Sequence, residues 1–180
     1  MSVLVFANNN QSKITKNAME AVSYGHHIAE KIGTETIAVV AGNCDNADTL
    51  GINGASKVIQ VEGAQFSDFN PAAIVEAMAQ ISASQNADTI VLSHDFSGKA
   101  IAGRLSARLD AGLVSGAVDY PDMSDGFVVK KAVFSGKAFA GVQIHTETRI
   151  ISLLPNSVEL NASGSACSVD KQSIDSEAKG

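Results

Sequence analysis

The sequence contains no tryptophan and few other aromatic residues, with two tyrosines and seven phenylalanines among 180 residues. It also has only two cysteines, Cys44 and Cys167, which lie far apart and in no CxxC spacing. That arrangement excludes a disulfide framework and a zinc ribbon, the two folds that depend on clustered cysteines. A reducing, cytoplasm-like compartment is therefore expected.

Long apolar runs and runs of basic residues are absent as well. No stretch approaches the roughly 18–20 apolar residues of a membrane span, and Met1–Phe6 is too short for a secretory signal. The 19 acidic and 13 basic side chains give a net charge of −6, with no lysine or arginine run to neutralise phosphates. We therefore expect neither membrane insertion nor nucleic-acid binding. The length fits one domain with a well-buried core.

The first 112 residues alternate between strand and helix signals. Four short apolar runs indicate strands that are buried on both faces. Helical spacing of apolar residues separates these runs, and such alternation predicts a parallel sheet with right-handed crossovers. The predicted strands are Val3–Ala7, Thr36–Ala41, Lys57–Val61 and Thr89–Ser93.

Residues that favour helix ends lie between the predicted strands. Thr15 is expected to cap the first helix and Gly33 to end it. Asn70 is expected to cap the second helix, with Pro71 at its first position, where the missing N–H has no cost. Ser97 is the expected cap of a third helix, directly after the fourth strand.

The pattern changes after residue 112. Phe127–Phe134, Ala138–His145 and Arg149–Leu154 are strand-like, and their connections are too short to hold crossover helices. We therefore predict antiparallel neighbours, and an α/β fold whose parallel core, flanked by helices, carries antiparallel strands near its C-terminal end.

Residues 156–180 differ again, because they hold six serines, four acids, two lysines and no aromatic residue. No hydrophobic period is visible in this segment. It is predicted to be a flexible tail or an interdomain linker, so that residues 1–155 form the domain.

Two segments are candidates for anion binding. The Asn8–Thr15 loop follows the first strand, where doubly wound folds bind ligands, but it has no glycine and no GxGxxG or GxxxxGK pattern. An ordinary polar turn is favoured there. Ser97-Gly98-Lys99 opens a helix whose free N–H groups and lysine could hold an anion, and Arg104 and Arg108 follow on the same helix. A solvated basic face is the alternative, and contact with a partner chain is preferred to anion binding.

No catalytic or metal-binding set can be argued from spacing. His26 and His27 are adjacent and point about 100° apart on a helix, while His94 follows the fourth strand without a spaced serine or cysteine partner. Cys44 and the acids that follow it lack a recognised metal spacing. No catalytic, cofactor-binding or metal residue is predicted on this chain.

Two segments carry a family resemblance. Ser93–Ser115 resembles the pattern of a strand, a polar turn, G-[KR], R-[LV]-[AS]-A-x-L and V-S in the amino-terminal domain of electron transfer flavoprotein alpha subunits. Lys131–Ala140 is similar to that family's R-P-x-Y-[AS]-G-N-A-x-A segment, and Ser2–Ala7 and Ala41-Gly42 also agree. The resemblance spans residues 1–155. Four residues depart from the second motif, with Lys131, Ala132, Phe134 and Lys137 in place of Arg, Pro, Tyr and Asn.

The resemblance implies a Rossmann-like fold of the adenine nucleotide alpha hydrolase type. It implies an electron carrier rather than an enzyme, in which this domain is the structural base of a heterodimer with a beta subunit. The complex would pass electrons from flavin dehydrogenases to a membrane-linked or other reductase acceptor. FAD would bind the second domain of the full-length alpha subunit and AMP the beta subunit, with no cofactor on this chain alone. The location would be cytoplasmic, or the mitochondrial matrix in a eukaryote.

Two other functions remain open at the level of sequence. One is a stand-alone adenine-nucleotide-binding module of the universal-stress-protein type, although the expected glycine-rich phosphate loop is missing. The other is a small flavodoxin-like FMN carrier that uses the Asn8–Thr15 loop. Phe127, Phe134 and Phe139 are candidate interface anchors, but core packing is the preferred interpretation.

Overall fold

A computed structural model describes residues 1–174. Nine strands form one sheet, and a two-stranded ladder lies in the loop that follows the first strand. The strands are β1 (Ser2–Phe6), β2 (Asn9–Asn10), β3 (Lys13–Ile14), β4 (Glu35–Ala41), β5 (Lys57–Glu62), β6 (Ala87–Ser93), β7 (Gly112–Ala117), β8 (Val128–Val133), β9 (Ala138–Gln143), β10 (Arg149–Leu153) and β11 (Ser168–Ser173). The helices are α1 (Lys16–Ile32), α2 (Pro71–Ser84) and α3 (Phe96–Leu109), with 3-10 turns at Ala47–Gly51 and Ala64–Phe66.

The large sheet is parallel over most of its width. Its order is β11-β5-β4-β1-β6-β10-β7-β8-β9, and every neighbouring pair from β11 to β7 is parallel. The pairs β7–β8 and β8–β9 are antiparallel. The predicted α/β class, a parallel core with antiparallel strands added, is confirmed.

The helices cover both faces of the sheet because alternate side chains of each strand point in opposite directions. Val3 and Val5 of β1 belong to a buried cluster with α1. Leu4 and Phe6 of the same strand belong to a second cluster with α2 and α3. A continuous apolar run is therefore required on the central strands, which is the signal that predicted them.

Three of the predicted helix ends are confirmed. The Thr15 side chain accepts a hydrogen bond from the Ala18 N–H (3.2 Å), and Asn70 caps α2 in the same way through Ala73 (3.2 Å). Gly33 ends α1 in the left-handed region at φ +69°, where glycine avoids the cost of a Cβ.

The predicted cap of α3 is wrong. Asp95, not Ser97, caps this helix, because its Oδ1 accepts the Gly98 N–H at 3.0 Å and the helix begins at Phe96. Both residue types are good caps, so local sequence could not choose between them. The end of β6 at Ser93 fixes where the chain turns, and this places Asp95 at the cap.

The position of β10 also differs from the prediction. It is not an antiparallel neighbour of β9 but lies between β6 and β7, parallel to both. Ile150, Ile151 and Ser152 are fully buried, because both faces of this inserted strand are covered. Only β8 and β9 form the predicted antiparallel hairpin.

The C-terminal segment is not unstructured over residues 156–174. Ser168–Ser173 forms β11, which pairs in parallel with β5 along all six residues. The backbone N–H groups of Asn156 and Asn161 donate to Glu20 Oε2 (2.8 Å) and Ser23 Oγ (3.0 Å) on α1. An edge strand is held by backbone hydrogen bonds and needs no apolar period, so composition could not reveal it. The rest of the predicted tail, residues 175–180, lies outside the described residues, and the 1–155 boundary stays a prediction.

Candidate functional site

A crevice opens at the carboxyl ends of the central strands β1 and β6. The chain leaves β1 into α1 on one face of the sheet and leaves β6 into α3 on the other face. Neighbouring crossovers that diverge in this way leave a gap between their first turns, the usual ligand position in open α/β sheets. The gap has a volume of about 470 Å³.

Three loops contribute to the crevice, namely those that follow β1, β5 and β6, together with the end of β4 and the first turns of the helices. The lining combines phenylalanine and asparagine side chains with hydroxyls and two carboxylates. The lining residues are Phe6, Asn8, Asn9, Asn10, Thr15, Asn17, Ala41, Phe66, Ser67, Asp68, Phe69, Ile74, Asp95, Phe96 and Ser97.

Hydrogen bonds between the loops fix the polar wall. Asn9 Nδ2 donates to the Ala41 carbonyl at 2.9 Å and thereby joins the β1 loop to the end of β4. Asn17 Nδ2 donates to Asp95 Oδ2 at 3.3 Å and joins α1 to the start of α3. These two hydrogen bonds fix Asn9, Asn17 and Asp95 in the polar wall.

Two phenylalanines form the rim on the opposite side. Phe69 is 42% exposed and Phe96 is 82% exposed, and their ring centroids are 6.2 Å apart at an interplanar angle of 49°. Phe66, which also lines the crevice, is buried. Two aromatic faces at the entrance are available to a flat ligand.

The crevice has no positive charge of its own. Among the described residues that line it there is no lysine, arginine or histidine, while Asp68 and Asp95 are acidic. The Gly98 N–H at the start of α3 already donates to Asp95. These residues do not fit the pyrophosphate of FAD or the phosphate of AMP, because nothing offsets the anionic charge.

A family comparison matches nearly the whole chain. The model for the electron transfer flavoprotein domain matches residues 3–178. The chain belongs to this family. It is 28% identical over 172 residues to the electron transfer flavoprotein subunit alpha of Syntrophomonas wolfei, a match that covers 94% of this chain and 53% of the relative.

Two further relatives give the same result. The alpha subunit of Bacillus subtilis is 26% identical over 96% of this chain and 53% of its own length. The alpha subunit of Mycobacterium leprae is 29% identical over 81% of this chain and 46% of its own. The chain thus spans about half the length of the curated relatives it matches. The resemblance to an alpha-subunit domain, drawn above from two motifs, is confirmed.

The candidate basic residues of this flavoprotein-family domain do not form one cluster. Ser97 lines the crevice, and the neighbouring Gly98 is buried. Lys99 and Arg104 are exposed on α3, where Arg104 Nη1 donates to the Ala100 carbonyl at 2.6 Å. Arg108 instead pairs with Glu76 of α2 at 3.1 Å and lowers the pKa of that carboxyl through the hydrogen bond. None of the three basic residues lines the crevice.

His94 makes a structural contact. His94 Nδ1 is 2.9 Å from Ser152 Oγ, which also accepts the Gly116 N–H at 3.2 Å. Ser152 is fully buried, so it cannot reach a substrate. Burial, followed by the charges of Lys99 and Lys131, lowers the pKa of His94. This contact holds β6, β7 and β10 together at their carboxyl ends.

His27 stacks on Tyr120, with ring centroids 3.9 Å apart, and burial lowers its pKa. Tyr120 in turn stacks on the buried Tyr24, whose hydroxyl donates to the Asp119 carbonyl at 2.9 Å. These three rings fasten α1 to the segment that follows β7. They pack against one another and not against the crevice.

Metal-site and membrane-span criteria are not met in the described part of the chain. Within residues 1–174, no three histidine, cysteine, aspartate or glutamate side chains are placed to hold a metal ion. No helix in that range combines the length and apolar character needed to cross a membrane.

The Sγ atom of Cys44 lies 3.6 Å from Asn46 Oδ1, and burial raises the pKa of the Cys44 thiol.

The three hairpin phenylalanines have different surroundings. Phe127 is buried in the core, as predicted. The prediction of core packing is wrong for Phe134 and Phe139, whose side chains are 80% and 61% exposed. Lys130 Nζ lies 4.8 Å from the centre of the Phe139 ring.

Sequence reasoning considered one wall of the crevice and missed the other. The position of the Asn8–Thr15 loop after β1 made it a candidate for ligand binding, although an ordinary polar turn is the favoured interpretation. The Phe66–Phe69 segment was not considered, although it follows the third predicted strand and therefore lies at the same edge of a parallel sheet. The position of this segment directly after a predicted parallel strand could have indicated that it contributes to the site.

Proposed function

We propose that this chain is the base domain of an electron transfer flavoprotein alpha subunit. In this proposal it forms a heterodimer with a beta subunit, and the complete complex carries electrons from flavin dehydrogenases to a reductase acceptor. The observation that carries the proposal is the family match over residues 3–178. The domain contributes a rigid platform rather than a reacting group.

The family resemblance implies where the cofactors bind, with FAD in the second domain of the full-length alpha subunit and AMP in the beta subunit. The crevice is compatible with this distribution. A flavin dinucleotide needs partners for its pyrophosphate, and the described residues lining the crevice offer no basic side chain. The same lack of basic residues argues against the adenine-nucleotide-binding module and the FMN carrier.

Co-production with the beta subunit tests this proposal. The full-length alpha subunit that contains this chain should copurify with the beta subunit in a 1:1 ratio and show flavin absorbance. Residues 1–180 produced alone should be colourless. Flavin bound to this chain alone, or a full-length subunit that stays separate from the beta subunit, would contradict the proposal.

The exposed basic face of α3 is the proposed contact with the partner chain. Within the described residues, neither Lys99 nor Arg104 has a carboxylate within 4.0 Å. Arg108 is already neutralised by Glu76. Ser97 and Gly98 lie in the first turn of the same helix and position Lys99.

Charge reversal tests this contact. The double variant Lys99→Glu/Arg104→Glu should weaken association with the beta subunit about tenfold or more. The proposed contact requires an acidic surface on the beta subunit, and the new glutamates would be repelled by it. Lys31→Glu, an exposed change in the last turn of α1, is the matched control. Equal affinity of the double variant and the control would remove this face from the interface.

A further inference from the structure

The crevice between β1 and β6 has the size of a small-molecule site. Its volume of about 470 Å³ lies within the range of ligand pockets, about 300–1,000 Å³. Its walls are fixed by the Asn9–Ala41 and Asn17–Asp95 hydrogen bonds and need no rearrangement to form. The proposed base-domain role does not use this crevice, so its ligand is a separate question.

The charge of the lining excludes phosphorylated ligands and selects neutral ones. Asp68 and Asp95 face the crevice, and no basic side chain lies among the described residues around it. A phosphate placed there would be repelled by both carboxylates. Hydroxyl and amino groups, in contrast, donate hydrogen bonds to carboxylates without any charge conflict.

The aromatic rim favours a flat ring. Phe69 and Phe96 both line the crevice, and they are 42% and 82% exposed. A large apolar side chain in that position gains burial when a ring covers it, and nucleobases stack on phenylalanine regardless of their identity. Phe66 continues the apolar surface inward.

The amide wall matches the polar edge of a heterocycle. An asparagine amide carries a donor and an acceptor side by side, the pairing that recognises nucleobase edges. The side chains of Asn8 and Asn10 make no hydrogen bond to any described residue, and Asn17 uses only its Nδ2, which leaves its Oδ1 free to accept. Thr15 and Ser67 add hydroxyls.

We propose that the crevice binds an unphosphorylated nucleoside. The base stacks against Phe69 and Phe96, its polar edge meets the asparagine amides, and the ribose hydroxyls donate to the carboxylates. The inference does not rest on the heterodimer proposed above, because Lys99 and Arg104 do not line the crevice.

Titration of the 180-residue chain with nucleosides tests the proposal. Adenosine, guanosine, cytidine and uridine are each added to ¹⁵N-labelled protein, followed by the matching 5′-monophosphates. At least one nucleoside should bind with a Kd on the order of 0.1 mM, the affinity that typical ligand efficiencies give for about 19 non-hydrogen atoms. The amide shifts should concentrate in residues 8–17, 66–69 and 95–97. The monophosphate should bind at least about fivefold more weakly.

Paired variants identify the rim. Phe96→Ala should weaken nucleoside binding about tenfold through the lost stacking surface. Phe134→Ala is the matched control, since Phe134 is 80% exposed on the hairpin and does not line the crevice. Asp68→Asn should reduce the difference in Kd between the nucleoside and its monophosphate, because it removes a carboxylate that repels phosphate. Asp68 is exposed and is not a helix cap.

Three results would overturn the inference. The first is no saturable shift with any nucleoside up to about 5 mM, far above the affinity expected from ligand efficiency. The second is tighter binding of the monophosphates, which would restore the adenine-nucleotide interpretation. The third is equal loss of binding in Phe96→Ala and Phe134→Ala. The heterodimer proposal fails through different experiments, so the two outcomes are distinguishable.

Discussion

The α-carbon of Gly98 lies directly against the backbone carbonyl of Ser93, with no space for a Cβ between them. This contact closes the tight turn from β6 into α3 and brings Asp95, Phe96 and Ser97 to the crevice. It explains a glycine in the first turn of a helix, where that residue is otherwise costly.

Replacement of Gly98 should therefore be strongly destabilising. Gly98→Ala should lower the free energy of unfolding by about 2–4 kcal/mol, because the Ser93 carbonyl must move. Gly103→Ala in the same helix meets no atom within 4 Å and should instead stabilise by about 0.5–1 kcal/mol. Urea denaturation of both variants measures the difference. Equal effects would show that helix propensity, not the turn, determines the residue.

The helix cap provides a second comparison. Asp95→Ala should cost about 1–2 kcal/mol, because the Gly98 N–H loses its acceptor and Asn17 loses its partner. Ser97→Ala should change stability by less than about 0.5 kcal/mol, since Ser97 lies inside the helix. Thermal unfolding of the two variants decides between the caps. A larger loss for Ser97→Ala would restore the cap predicted from sequence.

Glu20 fastens the C-terminal segment to α1. Its side chain is 2% exposed, and Oε2 accepts the Asn156 N–H at 2.8 Å. Glu20→Ala should cost about 1–3 kcal/mol and speed hydrogen exchange at Asn156, because the Asn156 N–H loses the acceptor that the buried Glu20 side chain provides. Glu30→Ala, a change at an exposed position on the same helix, should cost less than about 0.5 kcal/mol. Unchanged exchange at Asn156 in Glu20→Ala would contradict this role.

Stability should fall as the pH drops below the ordinary histidine pKa. The folded state lowers the pKa of His94, so between that value and 6.5 the unfolded chain binds a proton that the folded chain resists. His27 contributes with the same sign. The free energy of unfolding should thus be smaller at pH 5.5 than at pH 7.5. His94→Asn should reduce this slope. A slope equal to that of the unsubstituted chain would exclude His94 as a source.

Local sequence was sufficient to predict an element where its residue pattern is compatible with few backbone conformations. The run Val3–Phe6 could only be a strand covered on both faces, because four successive buried side chains need protein on both sides. Asn70-Pro71 marked a helix start because proline tolerates the first position and asparagine accepts the free N–H. The motifs around Ser93–Ser115 and Lys131–Ala140 gave the family without any structure.

Choices between equivalent partners could not be read from sequence. Ile150–Leu153 was recognised as a strand, but its insertion between β6 and β7 depends on which hydrogen-bonding edges are open. Ser168–Ser173 was not recognised as a strand, because its side chains are mostly polar and it is held by backbone hydrogen bonds to β5. For the candidate site, the loop after β1 was considered for ligand binding but interpreted as an ordinary polar turn. Phe69 and Phe96 were not considered, because their proximity comes from two separate crossovers.

The alternating apolar runs by themselves determined an α/β domain, and the two sequence motifs supplied its resemblance to the electron transfer flavoprotein family. Only the tertiary structure decided the order of the edge and inserted strands and brought three loops and the end of β4 around one acidic crevice. The physical reason is that buried side-chain pattern is a local property. Strand pairing and site assembly, in contrast, depend on contacts between residues far apart in the chain.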